Sequence, residues 1–333
     1  MPNAYYTCNL LPLELVARTG YSPRWLGEHL QDPGAPARRD ALSIHPMTCP
    51  YVARLVAAAD ALLDDANGED VLLVPGGCDA MRRMGDLLAA TYPGRVFSLP
   101  LARSSADGVV QTLASDLAQL EGWLEGKAAA QPRVAVDAQT CAQGSAEPIA
   151  PASAAVKQTP CVDYPAPPRP GGVFVVAGPL TDDSLLRLIG QLGAHVSGLE
   201  SCTSPDRWRP LAEAGGAPAA TPDRDRFIAL AQELLATGMC PRRSTVERRD
   251  HLIRRLEESR PSSVIYARQS FCDPGAYDAL LVARLAKERG LPYLEIEVGF
   301  PFEASGPLRT RVEAFLEAQL LDDDLLDDAD GEV

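Results

Sequence analysis

The residues best suited to chemistry in this chain of 333 residues are its eight cysteines. They stand at positions 8, 49, 78, 141, 161, 202, 240 and 272. In a chain that is not exported, cysteines seldom form a disulfide framework, because the cytosol keeps thiols reduced. They would then be buried thiols, a nucleophile or metal ligands. No CxxC pair occurs, so position along the chain must separate these alternatives.

Five of the cysteines stand at the ends of predicted elements. Cys78, Cys202 and Cys272 each follow a predicted strand, and open parallel α/β sheets bind their ligands at the carboxyl ends of strands. Cys49 and Cys240 precede predicted helices, where exposed N–H groups favour a thiolate.

A sixth cysteine, Cys8, ends the first short apolar run, Tyr5 to Cys8. Taken singly, each of these six is more often a buried structural thiol, because free cysteine packs as a small hydrophobe. Six at element ends favour a shared site. Cys141 and Cys161 lie in a Pro/Ala-rich excursion, where a defined ligand geometry is hard to impose, and they are left out of the site.

Other site chemistries have weaker signals. The turn Pro75 to Asp79 could present Cys78 as a nucleophile, or bind an anion on its backbone N–H groups. The histidines at 29, 45, 195 and 251 lack the spacing of a zinc helix, which disfavours zinc hydrolysis. Neither GxxxxGK[ST] nor GxGxxG is present, so any ATP hydrolysis belongs to another chain, and we expect this chain alone to show no ATPase activity.

The elements that would position the cysteines alternate between strand and helix. Predicted strands are 71–75, 95–100, 173–177, 194–199, 263–267 and 293–298. Predicted helices are 79–90, 106–125, 181–192, 223–236, 246–259, 274–289 and 307–320. Nearly continuous apolar strands indicate parallel sheets covered on both faces. We therefore predict an α/β fold of two doubly wound parallel-sheet domains, flavodoxin-like, with the site in the cleft between them.

The domain boundary is predicted where this periodicity stops. Residues 126–172 are rich in Ala, Pro, Gln and Ser, which is typical of a linker. The predicted N-terminal domain is 1–125 and the C-terminal domain 173–321. Residues 322–333, dominated by Asp, are predicted to be a solvated acidic tail.

The charge of the chain excludes some partners. With 45 acidic and 31 basic residues, the net charge is −14, which opposes binding to nucleic acid. The segment Met1 to Arg18 lacks the apolar core of a signal peptide, and no apolar run approaches 18 residues. We expect a cytoplasmic protein with no membrane association.

Two segments, Val71 to Met84 and Ser263 to Pro274, resemble the 2-hydroxyacyl-CoA dehydratase and benzoyl-CoA reductase family. That family includes the double-cubane cluster proteins. The similarity continues at Gly290 to Glu297 and Gly306 to Glu317. It is weaker at Thr7 to Gly20 and Gly178 to Arg207, and it covers both halves but not the middle.

The resemblance implies a set of cluster ligands. In dehydratase subunits of this family three cysteines hold one [4Fe–4S] cluster, and the matching residues are Cys49, Cys78 and Cys272. The double-cubane branch holds an [8Fe–9S] cluster on more thiolates, which Cys8, Cys202 and Cys240 would supply here. Asp79 and Asp273, next to two of these cysteines, would lower the cluster potential or cap their helices, and we favour the capping role.

The resemblance also implies partners and leaves three functions open. One is a reductase of a small substrate, supplied with electrons by a separate ATP-hydrolysing iron–sulfur activator. Another is a 2-hydroxyacyl-CoA dehydratase or acyl-CoA reductase subunit; in either case the chain would form a homodimer or pair with a homologous subunit. The third is a non-enzymatic module of two lobes that closes on a solute. The placement of the cysteines favours the first two.

Overall fold

The first half of the chain forms a four-stranded parallel sheet in the order β2–β1–β3–β4. The computed structural model describes residues 1–8, 10–30, 44–65, 68–130, 170–202, 223–237 and 240–330. The strands are β1 (Asn3–Tyr6), β2 (Ser22–Trp25), β3 (Val71–Gly76) and β4 (Val96–Pro100). Between them come α1 (Leu13–Arg18), a 3₁₀ helix (Leu26–Leu30), α2 (Pro50–Asp65) and α3 (Asp79–Thr91), and α4 (Asp107–Ala130) follows.

The second half repeats this arrangement, with a parallel sheet in the order β6–β5–β7–β8. Its strands are β5 (Val173–Ala177), β6 (Val196–Ser201), β7 (Ser263–Gln269) and β8 (Tyr293–Val298). The accompanying helices are α5 (Ser184–Gln191), α6 (Asp223–Thr237), α7 (Thr245–Ser259), α8 (Asp273–Glu288) and α9 (Gly306–Asp330).

Helices cover both faces of each sheet. Every residue of β3 is buried, and its alternate side chains enter different cores: Leu73 packs in one, Leu72 and Val74 in the other. Such two-sided burial gives continuous apolar strands, because successive side chains point to opposite faces. The prediction of two doubly wound, flavodoxin-like α/β domains is confirmed.

Some elements differ from the sequence prediction. The short helix α1, the 3₁₀ helix and β2 were not predicted; β2 is an edge strand containing Pro23 and Arg24, which hide any apolar pattern. Helix α9 runs to Asp330, past its predicted end at Leu320 and into the predicted acidic tail. The predicted linker lies outside the described residues from 131 to 169.

Helix α6 packs against the domain that precedes it in the sequence. Its buried residues Phe227, Ala231, Leu234 and Leu235 belong to the same core as β1 and α4. At its start, Arg226 donates two hydrogen bonds to the Glu121 carboxylate of α4, at 3.1 and 2.7 Å. Helix α6 lies within the predicted C-terminal domain, 173–321, but packs in the core of the first domain. Hydrophobic contact, not chain order, decides which core a helix joins.

The strand order places a topological switch point in each sheet. Strand β1 has β2 on one side and β3 on the other, and β5 lies likewise between β6 and β7. Loops leave such strand pairs in opposite directions, which opens a crevice at their carboxyl ends. Among the described residues, no helix is long and apolar enough to cross a membrane.

Candidate functional site

A pocket of about 120 Å³ lies where the carboxyl ends of the two sheets meet, roughly ten times the space that one water molecule requires. Residues that follow β1, β3, β5, β6 and β7 line it. All six cysteines predicted from the sequence contribute to its wall: Cys8, Cys49, Cys78, Cys202, Cys240 and Cys272. One pocket therefore contains both the three cysteines that match the dehydratase subunits and the three that would complete the double-cubane set.

Three of these cysteines occupy the same structural position, immediately before a helix. The carbonyl of each accepts a hydrogen bond from the N–H four residues later, at 3.0, 3.0 and 2.9 Å: Cys49 from Ala53, Cys78 from Arg82, and Cys272 from Ala276. They are thus the residues that start α2, α3 and α8. Three positive helix ends therefore lie at the pocket wall.

Burial raises the pKa of all three thiols, that of Cys272 to about 12. Neighbouring thiols add to the increase: Cys49 and Cys240 raise the pKa of Cys78, and Cys49 and Cys78 raise that of Cys272. Backbone N–H groups in the first turn of each helix act in the opposite direction. At Cys49 the N–H groups of the helix start lower the pKa of the thiol as expected, but burial outweighs them and the pKa is raised.

The other three cysteines lie in loops at the pocket. Cys8 follows β1 and Cys202 follows β6, both at strand carboxyl ends. Cys240 precedes α7 as predicted, but it is not at the helix start, because α7 begins five residues later and its N-cap is Ser244, whose hydroxyl accepts the Glu247 N–H at 3.4 Å. Cys240 packs against the core of the first domain, next to the helix α6 that precedes it.

The loop that carries Cys240 is fastened to the first domain. The Ser244 N–H donates to the Arg103 carbonyl at 2.7 Å, and Arg243 donates to Ser105 Oγ at 2.7 Å. Glu247 Oε1 accepts the Ser105 N–H at 3.0 Å, and its other oxygen pairs with Arg243 at 2.7 Å. These contacts join the loop after α6 to the loop after β4 and fix Cys240 at the domain interface.

Asp79 and Asp273 do not cap their helices, so the favoured one of their two predicted roles is wrong. The N-cap residues of α3 and α8 are Cys78 and Cys272, so each aspartate is the first residue inside its helix. Both are exposed, neither lines the pocket, and Asp79 lies 3.8 Å from Arg83. Asp273 still contributes to the raised pKa of Cys272.

Several polar residues of the pocket wall were not predicted from the sequence. Arg242, Tyr266, Gln269 and Thr7 all line it. Arg242 is only 6 % exposed, and its position in the run Cys-Pro-Arg-Arg was the available signal. Tyr266 lies inside an apolar strand, where nothing in the pattern distinguishes it from a core residue.

A network of buried ion pairs contacts the pocket wall through Tyr266. Arg248 donates to both oxygens of Asp278, each at 2.9 Å, and to Glu200 Oε1 at 2.8 Å. Burial alone would lower the pKa of Arg248, but these carboxylates outweigh it and raise that pKa. The Tyr266 hydroxyl donates to Asp278 at 3.2 Å, which links the network to the pocket wall. The other oxygen of Glu200 lies 3.0 Å from His251 Nε2.

The donor set suits a polynuclear cluster better than a single ion. Within the described part of the chain, no three His, Cys, Asp or Glu side chains converge so as to hold one metal ion. In a [4Fe–4S] cluster each thiolate binds a different iron atom, so its cysteines surround the cluster and need not reach one common metal ion. Two buried pocket atoms, Thr7 Oγ1 and Arg242 Nε, have no hydrogen-bond partner among the described residues, which favours a polar occupant. Cys141 and Cys161 lie outside the described residues.

Comparison with known proteins supports the family resemblance. Residues 169–318 match the family described as 2-hydroxyglutaryl-CoA dehydratase, D-component. The chain is also 28% identical over 154 residues to a protein of Escherichia coli (strain K12) named "Putative dehydratase subunit YjiM". That alignment covers 45% of this chain and 38% of the relative. The family match includes Cys202, Cys240 and Cys272, whereas Cys8, Cys49 and Cys78 precede it.

Proposed function

We propose, from the family match of the C-terminal half and from the six-cysteine pocket, that this chain binds an iron–sulfur cluster and reduces a small substrate at low potential. The observation that carries the proposal is that six cysteines, far apart in sequence, line one pocket. Thiolates are soft ligands that suit iron–sulfur clusters. When bound, the cluster would supply low-potential electrons.

The pocket residues would have distinct roles. Cys49, Cys78 and Cys272, each fixed at the start of a helix, would be the ligands of a [4Fe–4S] cluster. Cys8, Cys202 and Cys240 would complete the six thiolates of a double-cubane [8Fe–9S] cluster. The N–H groups of the helix starts favour the thiolate form and would offset part of the cost of ionising buried thiols.

The electrons would come from a separate ATP-hydrolysing iron–sulfur activator, as in the family that the chain resembles. The absence of a GxxxxGK[ST] motif from the sequence supports this division of labour. The partner at the pocket face would be a second copy of the chain or a homologous subunit.

A second candidate function is that of a 2-hydroxyacyl-CoA dehydratase subunit. The description of the matched family and the name of the Escherichia coli relative favour it. In that case Cys49, Cys78 and Cys272 would hold a single [4Fe–4S] cluster, and the other three pocket cysteines would be packing residues.

Iron and sulfide content after anaerobic purification tests the proposal. Six ligands predict about eight iron atoms per chain, because the bridged cluster joins two cubanes. Replacing Cys8, Cys202 or Cys240 by serine should then lower the iron content and change the visible absorption, since a neutral hydroxyl is a poor ligand for iron. Cys141→Ser and Cys161→Ser are the matched controls and should change neither.

The alternatives give different results. About four iron atoms per chain, with unchanged spectra in the Cys8, Cys202 and Cys240 variants, would reject the double cubane and favour the dehydratase subunit. Anaerobic protein that holds no iron, and takes up none on reconstitution with iron and sulfide, would reject both cluster assignments and favour the solute-binding module.

A further inference from the structure

Arg242 introduces a positive charge into a pocket that otherwise has no charged side chain among the described lining residues. No Asp, Glu, Lys or His from the described part of the chain lines the pocket, although the whole chain carries a net charge of −14. Arg242 is 94 % buried, since its exposed fraction is 6 %. The side chains that line the pocket therefore carry one formal positive charge, although the net charge of the whole chain is negative.

The guanidinium of Arg242 is only partly satisfied by the protein. Its Nη1 donates to the carbonyl oxygen of Ala102, and its buried Nε has no hydrogen-bond partner among the described residues. No carboxylate of those residues pairs with it, whereas the adjacent Arg243 pairs with Glu247 at 2.7 Å. A buried cation without a counter-ion is unfavourable, so this site is suited to an anionic occupant.

The backbone next to Arg242 lets its side chain lie against the turn that carries Cys78. A Cβ atom on Gly77 would lie 3.2 Å from Arg242 Cδ and 3.5 Å from Nε, so the bare glycine lets the guanidinium lie against the turn. Cys78 follows Gly77 directly and starts the 13-residue helix α3, whose N-terminus is also positive. Cys240 lies two residues before Arg242 and lines the same pocket.

We propose that Arg242 is the counter-charge of an anion held in the thiol pocket, and that this anion is the thiolate-bound cluster. The inference rests on the proposed function. Each thiolate ligand adds one negative charge, so a cluster held by six cysteines is anionic. A fixed positive charge beside it stabilises the assembly, and it stabilises the reduced state most, because reduction adds a further negative charge. Arg242 is thus a positioning residue that raises the reduction potential.

The midpoint potential of the cluster tests this role. Arg242→Gln should shift the potential to a more negative value, changing the ratio of reduced to oxidised cluster about tenfold at fixed potential, or about 59 mV for a one-electron couple. Arg242→Lys retains the charge and should remain close to the unmodified protein. Arg83→Gln is the matched control: it removes the same charge from an exposed side chain of α3 and should leave the potential unchanged.

The outcomes separate this inference from the proposed function. Unmodified protein without iron would reject both. Iron at the normal level with an unshifted potential in Arg242→Gln would reject the inference alone. If Arg242→Gln is folded by circular dichroism but loses iron, retention of iron by Arg242→Lys supports the charge role, and loss in both variants contradicts it.

A last arm tests whether the anion is a small solute instead. Metal-free protein would be titrated with inorganic phosphate by calorimetry. Phosphate binding that Arg242→Gln abolishes, together with an unshifted cluster potential in that variant, would make Arg242 a subsite for a small anion and overturn the inference. Absence of phosphate binding supports the cluster as the anion.

Discussion

The sulfur of Cys272 lies close to the first turn of its own helix. A Cβ atom on Gly275 would lie only 3.2 Å from Cys272 Sγ and 3.5 Å from its Cβ. Gly275 is buried, so an added methyl group would lie inside the protein next to this sulfur. At the scale of single residues, the direction of this sulfur therefore depends on glycine at position 275, because a methyl group there would crowd the sulfur.

Gly275→Ala should lower the stability of the metal-free protein by about 1–3 kcal/mol, because the added methyl group overpacks the thiol. It should also reduce iron uptake. Gly108→Ala is the control, since Gly108 stands in the first turn of α4 with no atom within 4 Å of the added Cβ. There the usual helix preference should raise stability by up to about 1 kcal/mol. Denaturant unfolding and iron analysis measure both; equal effects at the two glycines would contradict the packing argument.

The raised pKa of Cys272 predicts its reactivity in the metal-free protein. Alkylation requires the thiolate, so a pKa of about 12, above the ordinary 9.0, keeps Cys272 of the folded chain mostly protonated and slow to react between these pH values. Iodoacetamide labelling, quantified by mass spectrometry, should therefore be at least about tenfold slower at pH 8 than in denaturant. The labelling rate of Cys272 in the folded protein should continue to rise above pH 9, where the rate in the unfolded chain levels off. A native profile with its midpoint near 9 would contradict the burial argument.

At the scale of elements, Arg248 joins the three segments that carry the C-terminal cysteines. It belongs to α7, which follows Cys240, and it binds Glu200 of β6, just before Cys202. Its other partner, Asp278, belongs to α8, which begins after Cys272. The side chains of Arg248, Glu200 and Asp278 are each at most 4 % exposed. The network therefore fixes the relative positions of the three cysteines.

Arg248→Ala should lower the free energy of unfolding by about 3–5 kcal/mol, because it leaves the buried Asp278 carboxylate without its ion-pair partner and removes the shorter of the two arginine contacts of Glu200, which keeps Arg255 at 3.6 Å. The neighbouring Arg249→Ala is the control: Arg249 pairs with Glu288 at 3.2 Å, but both side chains are more than 40 % exposed, so the loss should be at most about 1 kcal/mol. Guanidinium titrations would measure the difference. Similar losses in the two variants would contradict the importance assigned to the buried network.

At the scale of the whole molecule, two segments from the second half of the chain pack against the first domain. Helix α6 completes the core of the N-terminal domain, and the loop from Cys240 to Ser244 is hydrogen-bonded to the loop after β4. Cys240 is thereby held by the first domain, although Cys202 and Cys272 belong to the second. The pocket thus depends on the contact between the domains as well as on each domain.

Leu234→Ala should therefore destabilise the first domain, although Leu234 follows the predicted boundary. A buried Leu→Ala substitution costs about 2–5 kcal/mol, and Leu234 is only 3 % exposed in the core around β1 and α4. Hydrogen exchange should accelerate most in β1 and β3. Leu188→Ala in α5, buried in the core of the second sheet, is the reciprocal control and should accelerate exchange in β5 and β7. Equal effects of the two variants on both sheets would contradict this assignment of α6.

Apolar runs and glycine turns were sufficient to predict most elements. Strands β5 and β8 have the predicted bounds, because their residues form continuous apolar or alternating runs between turns. The edge strand β2 was missed, since a strand paired on one side tolerates proline and charge. The start of α7 was predicted to within one residue, at 246 against the observed Thr245, because the Ser244 cap comes directly before the helix.

The sequence by itself was enough to predict the two parallel α/β domains and to place six cysteines at the ends of elements, because strand ends and helix starts follow from local apolar patterns. Only the tertiary structure decided that these cysteines meet, that α6 joins the first core, and that Arg242 and Tyr266 reach the pocket wall. It also decided the raised pKa of Cys49, Cys78 and Cys272, since burial outweighs the nearby helix N–H groups. Burial and charge pairing depend on residues distant in sequence, which a local pattern does not contain.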